Sequence, residues 1–327
     1  MHKKNNLNYY LGFDIGGTKC SISVGGCDLE LREKIVFPTK VERDPYEVIE
    51  EITQNASQLI TKYGKEYLKG IGISCGGPLD SKTGIIYSPP NLPGWDAIPL
   101  VDIFSEKFGV NVSLQNDANA CALAEWLLGS GKGTKNMVFL TFGTGMGAGL
   151  ILDGRLYTGT NDLGGEVGHV RLADDGPVGF AKAGSFEGFC SGGGIAQLAE
   201  KIVKEKLADG EKVSFCKDLK NVGNITAKTI AENAQKGDKS AMEIMAISAT
   251  YLGKGLAILI DILNPECIVI GSIYTRNEDF FKPIVEKVLA GEAIPGALEK
   301  CRIVPAALGE KTGDYAALCV AMYNDKF

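Results

Sequence analysis

Asp117 lies in the run LQNDANACALAE (114–125), where an apolar stretch from Val110 to Leu114 gives way to a helical pattern that stops at Gly129. A carboxylate at such a junction has two chemistries open to it. It can satisfy the orphan N–H groups of the helix's first turn. It can also be a general base, accepting a hydroxyl proton while the oxygen attacks a γ-phosphoryl group. Asn116 beside it is able to hold a sugar hydroxyl. The stretch GGEVGHVRL adds Glu166 and His169, and Glu187 follows eighteen residues beyond the histidine. Carboxylates and an imidazole pair well with the hydroxyls of a polyhydroxylated ligand, although a lone histidine near two acids is more often a satisfied structural group than a ligand. His2 is the other histidine. Asn91 and Trp95, in NLPGW, either close over a sugar or anchor their loop.

Two glycine-rich turns could supply a phosphate site. DIGGTK (14–19) does not have the GxxxxGK[ST] order of a Walker A loop, nor the GxGxxG of a dinucleotide fold. Large apolar residues alternate at Tyr9, Leu11, Phe13 and Ile15, and again at Cys20, Ile22 and Val24, so the glycines form the tip of a β-hairpin. Such a tip exposes backbone N–H groups with no Cβ in the way, a concavity suited to phosphate oxygens. Asp14 could hold magnesium through water, and Lys19 adds charge. Taken alone, the turn reads as a plain hairpin more readily than as a phosphate site. A second turn, TFGTGMGAG (141–149), repeats the pattern, and two such turns can grip a polyphosphate from both sides.

The elements that must position these residues follow from periodicity. A third strand is expected from Leu29 to Phe37, and the apolar spacing of Val48, Ile49, Ile52, Ala56, Leu59 and Ile60 predicts a helix over 45–63. LKGIGISCGGPLD reads as a strand running into a loop, followed by a long loop and the strand and helix around Asp117. After the second turn come helices over 194–207, 226–236, 238–263 and 281–289, strands in ECIVIGS and CRIVPAAL, and a closing helix over 313–323. Two halves that each open on a glycine hairpin suggest a duplicated α/β architecture.

The chain has 327 residues, a net charge of −6, 45% hydrophobic and 23% charged residues. This length suggests two domains. No cluster of Lys and Arg offers a nucleic-acid surface, and the charges within LGKGLAILIDILNPECIVIG interrupt the roughly 18 apolar residues of a membrane helix. MHKKNNLNYY lacks the apolar run of a secretory signal. About eight residues precede the first strand, too few for a helix-turn-helix module. The nine cysteines are dispersed without a CxxC pair and are expected to be buried, reduced thiols. A cytoplasmic protein with small-molecule partners, and neither nucleic-acid nor membrane partners, is the expectation.

Taken in order, DIGGTK, CGGP (75–78), LQNDANACALAE, TFGTGMGAG, GGEVGHV (164–170), LNPECIVIG (263–271) and ALGEKTGDYAA (307–317) resemble the ROK family of sugar kinases, in the actin and hexokinase-like superfamily. The resemblance spans nearly the whole chain. It implies an α/β, two-domain actin-like ATPase (ribonuclease H-like) fold, duplicated, with a ligand cleft between the domains. Residues 1–124 plus 313–327 would form the small N-terminal domain and 125–312 the large C-terminal one. The implied activity is ATP-dependent phosphorylation of a hexose at its 6-hydroxyl, glucose first, with an N-acetylmannosamine or N-acetylglucosamine kinase as the alternative and a non-catalytic, sugar-responsive regulator behind that. Carried over residue by residue, Asp117 is the base. Gly77, Asn91, Asn116, Asp117, Glu166, His169 and Glu187 meet the sugar. Gly16, Gly17, Thr18 and Lys19 form the first phosphate motif, and Gly143, Thr144 and Gly145 the second. Gly271 belongs to the adenosine region, and Asp14 positions the Mg2+ that accompanies ATP. A homodimer or homotetramer is implied.

Three departures from the family pattern stand out. The family's CxCGxxGCxE zinc motif is replaced: its cysteine positions are Val178, Phe180 and Ser185, with Gly184 and Glu187 kept. Neither Val nor Phe binds zinc, so a zinc-free loop steadied by packing of Val178, Phe180 and Phe186 is predicted. Ser272 stands where the family usually has a second glycine. Glu310-Lys311-Thr312 replaces a typical acidic segment near the nucleotide.

Overall fold

Tyr9–Ile15 (β1) and Lys19–Gly26 (β2) form the predicted hairpin, and Leu31–Pro38 (β3) extends it antiparallel. The computed structural model describes residues 7–28 and 30–326; His2 and Leu29, the expected start of the third strand, lie outside them. Pro45–Tyr63 (α1) covers the predicted range. Asp44 caps it by accepting from the Tyr46 amide at 2.8 Å, and Val48, Ile49, Ile52, Ala56, Leu59 and Ile60 form its buried face. Leu68–Cys75 (β4) follows. Where the sequence predicts a long loop, three short strands, Leu79–Asp80 (β5), Ile85–Tyr87 (β6) and Asp96–Pro99 (β7), make a small antiparallel sheet. Strands of two to four residues are too short to display a period. Trp95 is fully buried, which settles it as a loop anchor. Leu100–Phe108 (α2), Val112–Asn116 (β8) and Asp117–Leu127 (α3) complete this stretch.

The later elements, in chain order, are Met137–Leu140 (β9), Ala148–Leu152 (β10), Arg155–Tyr157 (β11), Val178–Gly179 (β12), Lys182–Ala183 (β13), Phe186–Phe189 (α4), Gly192–Ala208 (α5), Ala227–Gln235 (α6) and Lys239–Leu263 (α7). Then come Cys267–Ile270 (β14), Ile273–Arg276 (α8), Glu278–Glu292 (α9), Pro295–Leu298 (α10), Arg302–Pro305 (β15) and Thr312–Lys326 (α11). Among the described residues α7 alone has the length and apolar composition of a membrane span. Its buried positions, from Ala241 through Leu252 to Ile260, recur at helical spacing, and it packs against α5, α6 and α9 as a core helix does.

The chain divides into two compact units. One comprises the chain up to Lys135, Gly149–Gly164 and the chain from Ala307; the other comprises Asn136–Ala148 and Gly165–Ala306. The first unit therefore runs past the 124/125 boundary read from the sequence, and the buried Glu125 supplies a physical reason. Its carboxylate accepts from the amides of Ser130 at 2.9 Å, Ala307 at 3.1 Å and Leu308 at 2.9 Å. Trp126 Nε1 donates to the Thr134 carbonyl at 2.7 Å. Residues 125–135 are thereby held to the segment that leads into α11.

The first unit is built on a sheet of order β3-β2-β1-β4-β8, with β1, β4 and β8 parallel. One face carries α1 and α2, where Phe13 meets Phe104 edge-on at 5.0 Å between ring centroids. Burying a side chain of that size contributes about 1.5–3 kcal/mol. The other face receives α11 so closely that glycine is required. A Cβ on Gly72 would lie 2.0 Å from the Ala317 carbonyl oxygen, and one on Gly12 2.7 Å from the Leu318 nitrogen. In the second unit β9, β14 and β15 run parallel, pairing Val138 with Ile268 and Ile268 with Ile303.

All nine cysteines are free, but Cys27 is exposed and Cys121 and Cys301 are half-buried, so the expectation of buried thiols holds for the other six. Cys27 follows the end of β2 on a surface turn, where no sheet covers it.

Candidate active site

In the first unit, register brings the predicted residues to one sheet edge. Ile15 pairs with Cys75, and Cys75 with Asn116, so three parallel strands end level with one another. Gly16, Gly76 and Asp117 are the residues that leave that row. Loops at the carboxyl ends of parallel strands are where α/β proteins place ligands. The turn after β1 is closed by Gly16 N donating to the Lys19 carbonyl at 3.1 Å, while Thr39 Oγ1 donates to the Gly16 carbonyl at 2.5 Å. Thr18 and Lys19 are exposed at its tip. A Cβ on Gly17 would sit 2.2 Å from the Asn91 carbonyl oxygen, and one on Gly76 2.9 Å from Asn91 Oδ1. The Asn91 loop thus lies directly against both glycine turns, with Gly77 next to it.

Asp117 opens α3, yet the cap belongs to its neighbour. Asn116 Oδ1 accepts from the Asn119 amide at 2.8 Å, whereas Asp117 Oδ1 accepts from the adjacent Ala118 amide at 2.8 Å. The capping alternative for Asp117 therefore passes to Asn116, whose side-chain oxygen is occupied by it. Asp117 keeps an exposed surface, while the dense packing beside its carboxyl raises its pKa; the Ala118 bond opposes that rise. Asp14 is pushed up to about 6, chiefly by burial and further by Asp117, against the pull of Lys34 and Lys19. Lys34 is itself ion-paired with Asp314 at the start of α11. One carboxylate beside a Cβ-free turn fits Mg2+, which keeps most of its waters and arrives with phosphate oxygens. Among the described residues no group of three or more His, Cys, Asp and Glu could hold a metal by itself.

In the second unit the other predicted residues gather around the turn at 141–147. Thr141 N donates to the Gly147 carbonyl at 3.0 Å, Gly147 N to Thr141 Oγ1 at 2.8 Å, and Gly143 N to the Gly145 carbonyl at 3.1 Å. Glu187 Oε2 accepts from the Met146 amide at 2.9 Å, and a Cβ on Gly145 would lie 2.8 Å from that oxygen. Thr144 is exposed. Glu166 immediately precedes a single 3-10 turn, Val167–His169, and both Glu166 and His169 are exposed. A Cβ on Gly168 would meet the Met146 carbonyl oxygen at 2.3 Å, which seats this turn against the glycine loop. Gly271 N donates to the Leu140 carbonyl at 3.0 Å, at the exit of β14.

Next to Gly143 and Thr144 opens a cavity of about 550 Å³, lined also by Gly192, Gln235, Ser272 and Arg276. Apart from Ser272, the sequence reading missed these last residues. SGGG at 191–194 was the available signal, since Gly192 N donates to the Gly143 carbonyl at 2.8 Å. Gln235 and Arg276 carry no local signature at all.

The loop at 178–187 overturns part of the prediction made for it. Phe186 is buried, but Val178 is 47% and Phe180 79% exposed, so these two do not substitute for a metal by packing. Polar brackets hold the loop instead. The Gln197 side chain accepts from Val178 N at 2.8 Å and donates to the Val178 carbonyl at 2.9 Å. Arg171 reaches the Ala183 carbonyl at 2.8 Å, and Lys182 the His169 carbonyl at 2.8 Å. Ser185, in place of a cysteine, caps α4 through the Gly188 amide at 3.0 Å. The segment Gly309–Lys311 forms a 3-10 turn of the first unit, and Thr312 Oγ1 donates to the Gly309 carbonyl at 2.9 Å.

A mixed sheet with a glycine hairpin at its head and carboxylates where its strands end, together with a second α/β unit in the same chain, defines the actin-like two-domain fold. The chain belongs to the ROK family, whose model matches residues 10–322. It is similar to the glucokinase of Halalkalibacterium halodurans, 31% identical over 309 residues that cover 93% of this chain and 92% of that one. Among solved structures, a ROK hexokinase from Thermus thermophilus superposes with a TM-score of 0.79 at 29% identity, covering 97% of this chain and 99% of that one. A ROK family glucokinase from Streptomyces griseus, in complex with glucose and AMPPNP, gives a TM-score of 0.72 at 26% identity, over 97% of this chain and 100% of that one.

Proposed function

We propose that this protein is an ATP-dependent hexose kinase that phosphorylates the 6-hydroxyl of glucose in preference to other hexoses. The observation that carries this reading is the placement of Asp117. It stands level with the ends of β1 and β4, Asn116 relieves it of the capping bond, and its pKa is raised toward that of a proton acceptor. A base so placed takes the proton of the sugar hydroxyl as the oxygen attacks the γ-phosphorus. ADP leaves with the bridging oxygen, and the proton on Asp117 returns to solvent. Glu166, His169 and Glu187 hold sugar hydroxyls, with Asn91 and Asn116 contributing amide groups. The Gly16–Gly17 and Gly143–Gly145 turns offer backbone N–H groups to phosphate oxygens, and Lys19 adds a positive charge. Asp14 is the residue that would hold the water shell of a Mg2+ bound with ATP, and that ion would supply neutralisation of phosphate charge.

A coupled ADP-release assay over glucose, mannose, fructose, allose, N-acetylglucosamine and N-acetylmannosamine tests the proposal. The expected result is magnesium-dependent turnover highest with glucose. Absence of ADP release with every sugar would point to the non-catalytic, sugar-responsive regulator, and a preference for an N-acetyl sugar would reassign the acceptor.

A further inference from the structure

Ser272 occupies a backbone conformation that an L-residue rarely adopts, with φ 59° and ψ −109°. The strain is imposed from both sides. Gly271 N donates to the Leu140 carbonyl at 3.0 Å and Ile273 N to the Phe142 carbonyl at 2.8 Å, so the flanking peptides are pinned to the segment leaving β9. Glycine would occupy this position at no steric cost. Nor does the serine serve as a helix cap: it precedes α8, but its hydroxyl makes no capping bond. That hydroxyl lies instead at the wall of the 550 Å³ cavity, 3.5 Å from where a Cβ on Gly143 would be. Arg276 Nη2 approaches the same oxygen at 3.5 Å. A strained residue whose polar group faces a cavity beside a glycine turn and an arginine is a candidate for ligand binding.

We propose that Ser272 is a nucleotide-binding residue. Its hydroxyl accepts from Arg276 and donates to a phosphate oxygen of the nucleotide seated at Gly143, and the strained backbone is retained for that bond. This inference rests on the kinase reading and adds a contact made by the side chain that distinguishes this chain from a double-glycine segment.

The test combines melting temperature with calorimetric binding of ADP and of a non-hydrolysable ATP analogue, for wild type, Ser272→Gly and Ser272→Ala. Ser272→Gly relieves the strain and is expected to melt about 2 °C higher without ligand, while binding both nucleotides about tenfold more weakly. Ser272→Ala keeps the strain and loses the hydroxyl, so its affinity falls equally without a gain in melting temperature. Glucose affinity stays unchanged in both. Variants that bind nucleotide as tightly as wild type, or a glycine variant that melts no higher, overturn the inference. Wild-type protein that binds no adenine nucleotide overturns the kinase reading itself, a distinguishable result.

Discussion

Glu187 Oε2 accepts a hydrogen bond from the Met146 amide at 2.9 Å, so a carboxylate expected to hold a sugar is fastened to the second glycine turn. The two duties share one side chain. Glu187→Ala should therefore raise KM for both the sugar and ATP, lowering kcat/KM about 10- to 100-fold, since a hydrogen bond to a charged group contributes about 1.5–3 kcal/mol. Glu187→Gln keeps an oxygen acceptor for Met146 and should leave KM for ATP within a few-fold of wild type. Steady-state kinetics with each substrate varied in turn checks this, and equal effects of both substitutions on ATP would contradict it.

Asp117→Asn removes the proton acceptor and preserves the shape. Turnover should fall about 10² to 10⁴-fold, with glucose binding measured by calorimetry within a few-fold of wild type. Retention of full turnover would refute the assignment of the base.

Asp14 carries a stability term of definite sign. Its pKa is raised from 3.8 to about 6, chiefly by burial, so the neutral form is favoured in the folded state. That contribution is fully present below about pH 4 and is lost as pH rises through about 6. Above pH 6 the buried charge costs at most about 3 kcal/mol. Asp14→Asn should accordingly be more stable than wild type at pH 8, with the difference vanishing at pH 4, as read by denaturant titrations at the two values. It should also be inactive, because the role proposed for Asp14 beside the phosphates requires the ionised carboxylate. Wild-type kcat/KM should show an acid limb near pH 6. Lys34→Met should move that limb upward, because Lys34 opposes the rise in the Asp14 pKa.

The loop at 178–187 is expected to need no metal. Elemental analysis of purified protein should give well under one zinc per chain, and a chelator should leave the melting temperature unchanged. Gln197→Ala, by contrast, removes both bonds to Val178 and should destabilise the protein by about 1 kcal/mol, the low end for two exposed hydrogen bonds. A stoichiometric zinc that survives dialysis would sink the idea.

Local pattern accounts for what was legible beforehand. The β1–β2 hairpin, the range of α1 and the strand-to-helix step at Asp117 follow from periods of two and 3.6 residues, which neighbours in the chain suffice to reveal. The same holds for the kinds of chemistry that Asp117, Glu166, His169 and Glu187 could support. Tertiary structure decided which side chains were already committed. It gave the helix cap to Asn116 and bound Glu187 to Met146. It exposed Val178 and Phe180 where packing had been expected, and it strained Ser272 beside a cavity. Glu125 is the clearest case: its carboxylate meets the Leu308 amide across 183 residues of chain, and no local period encodes such a partner. Geometry between segments distant in sequence arises only when the chain has folded, so the residue types were available from the sequence and their occupations were not.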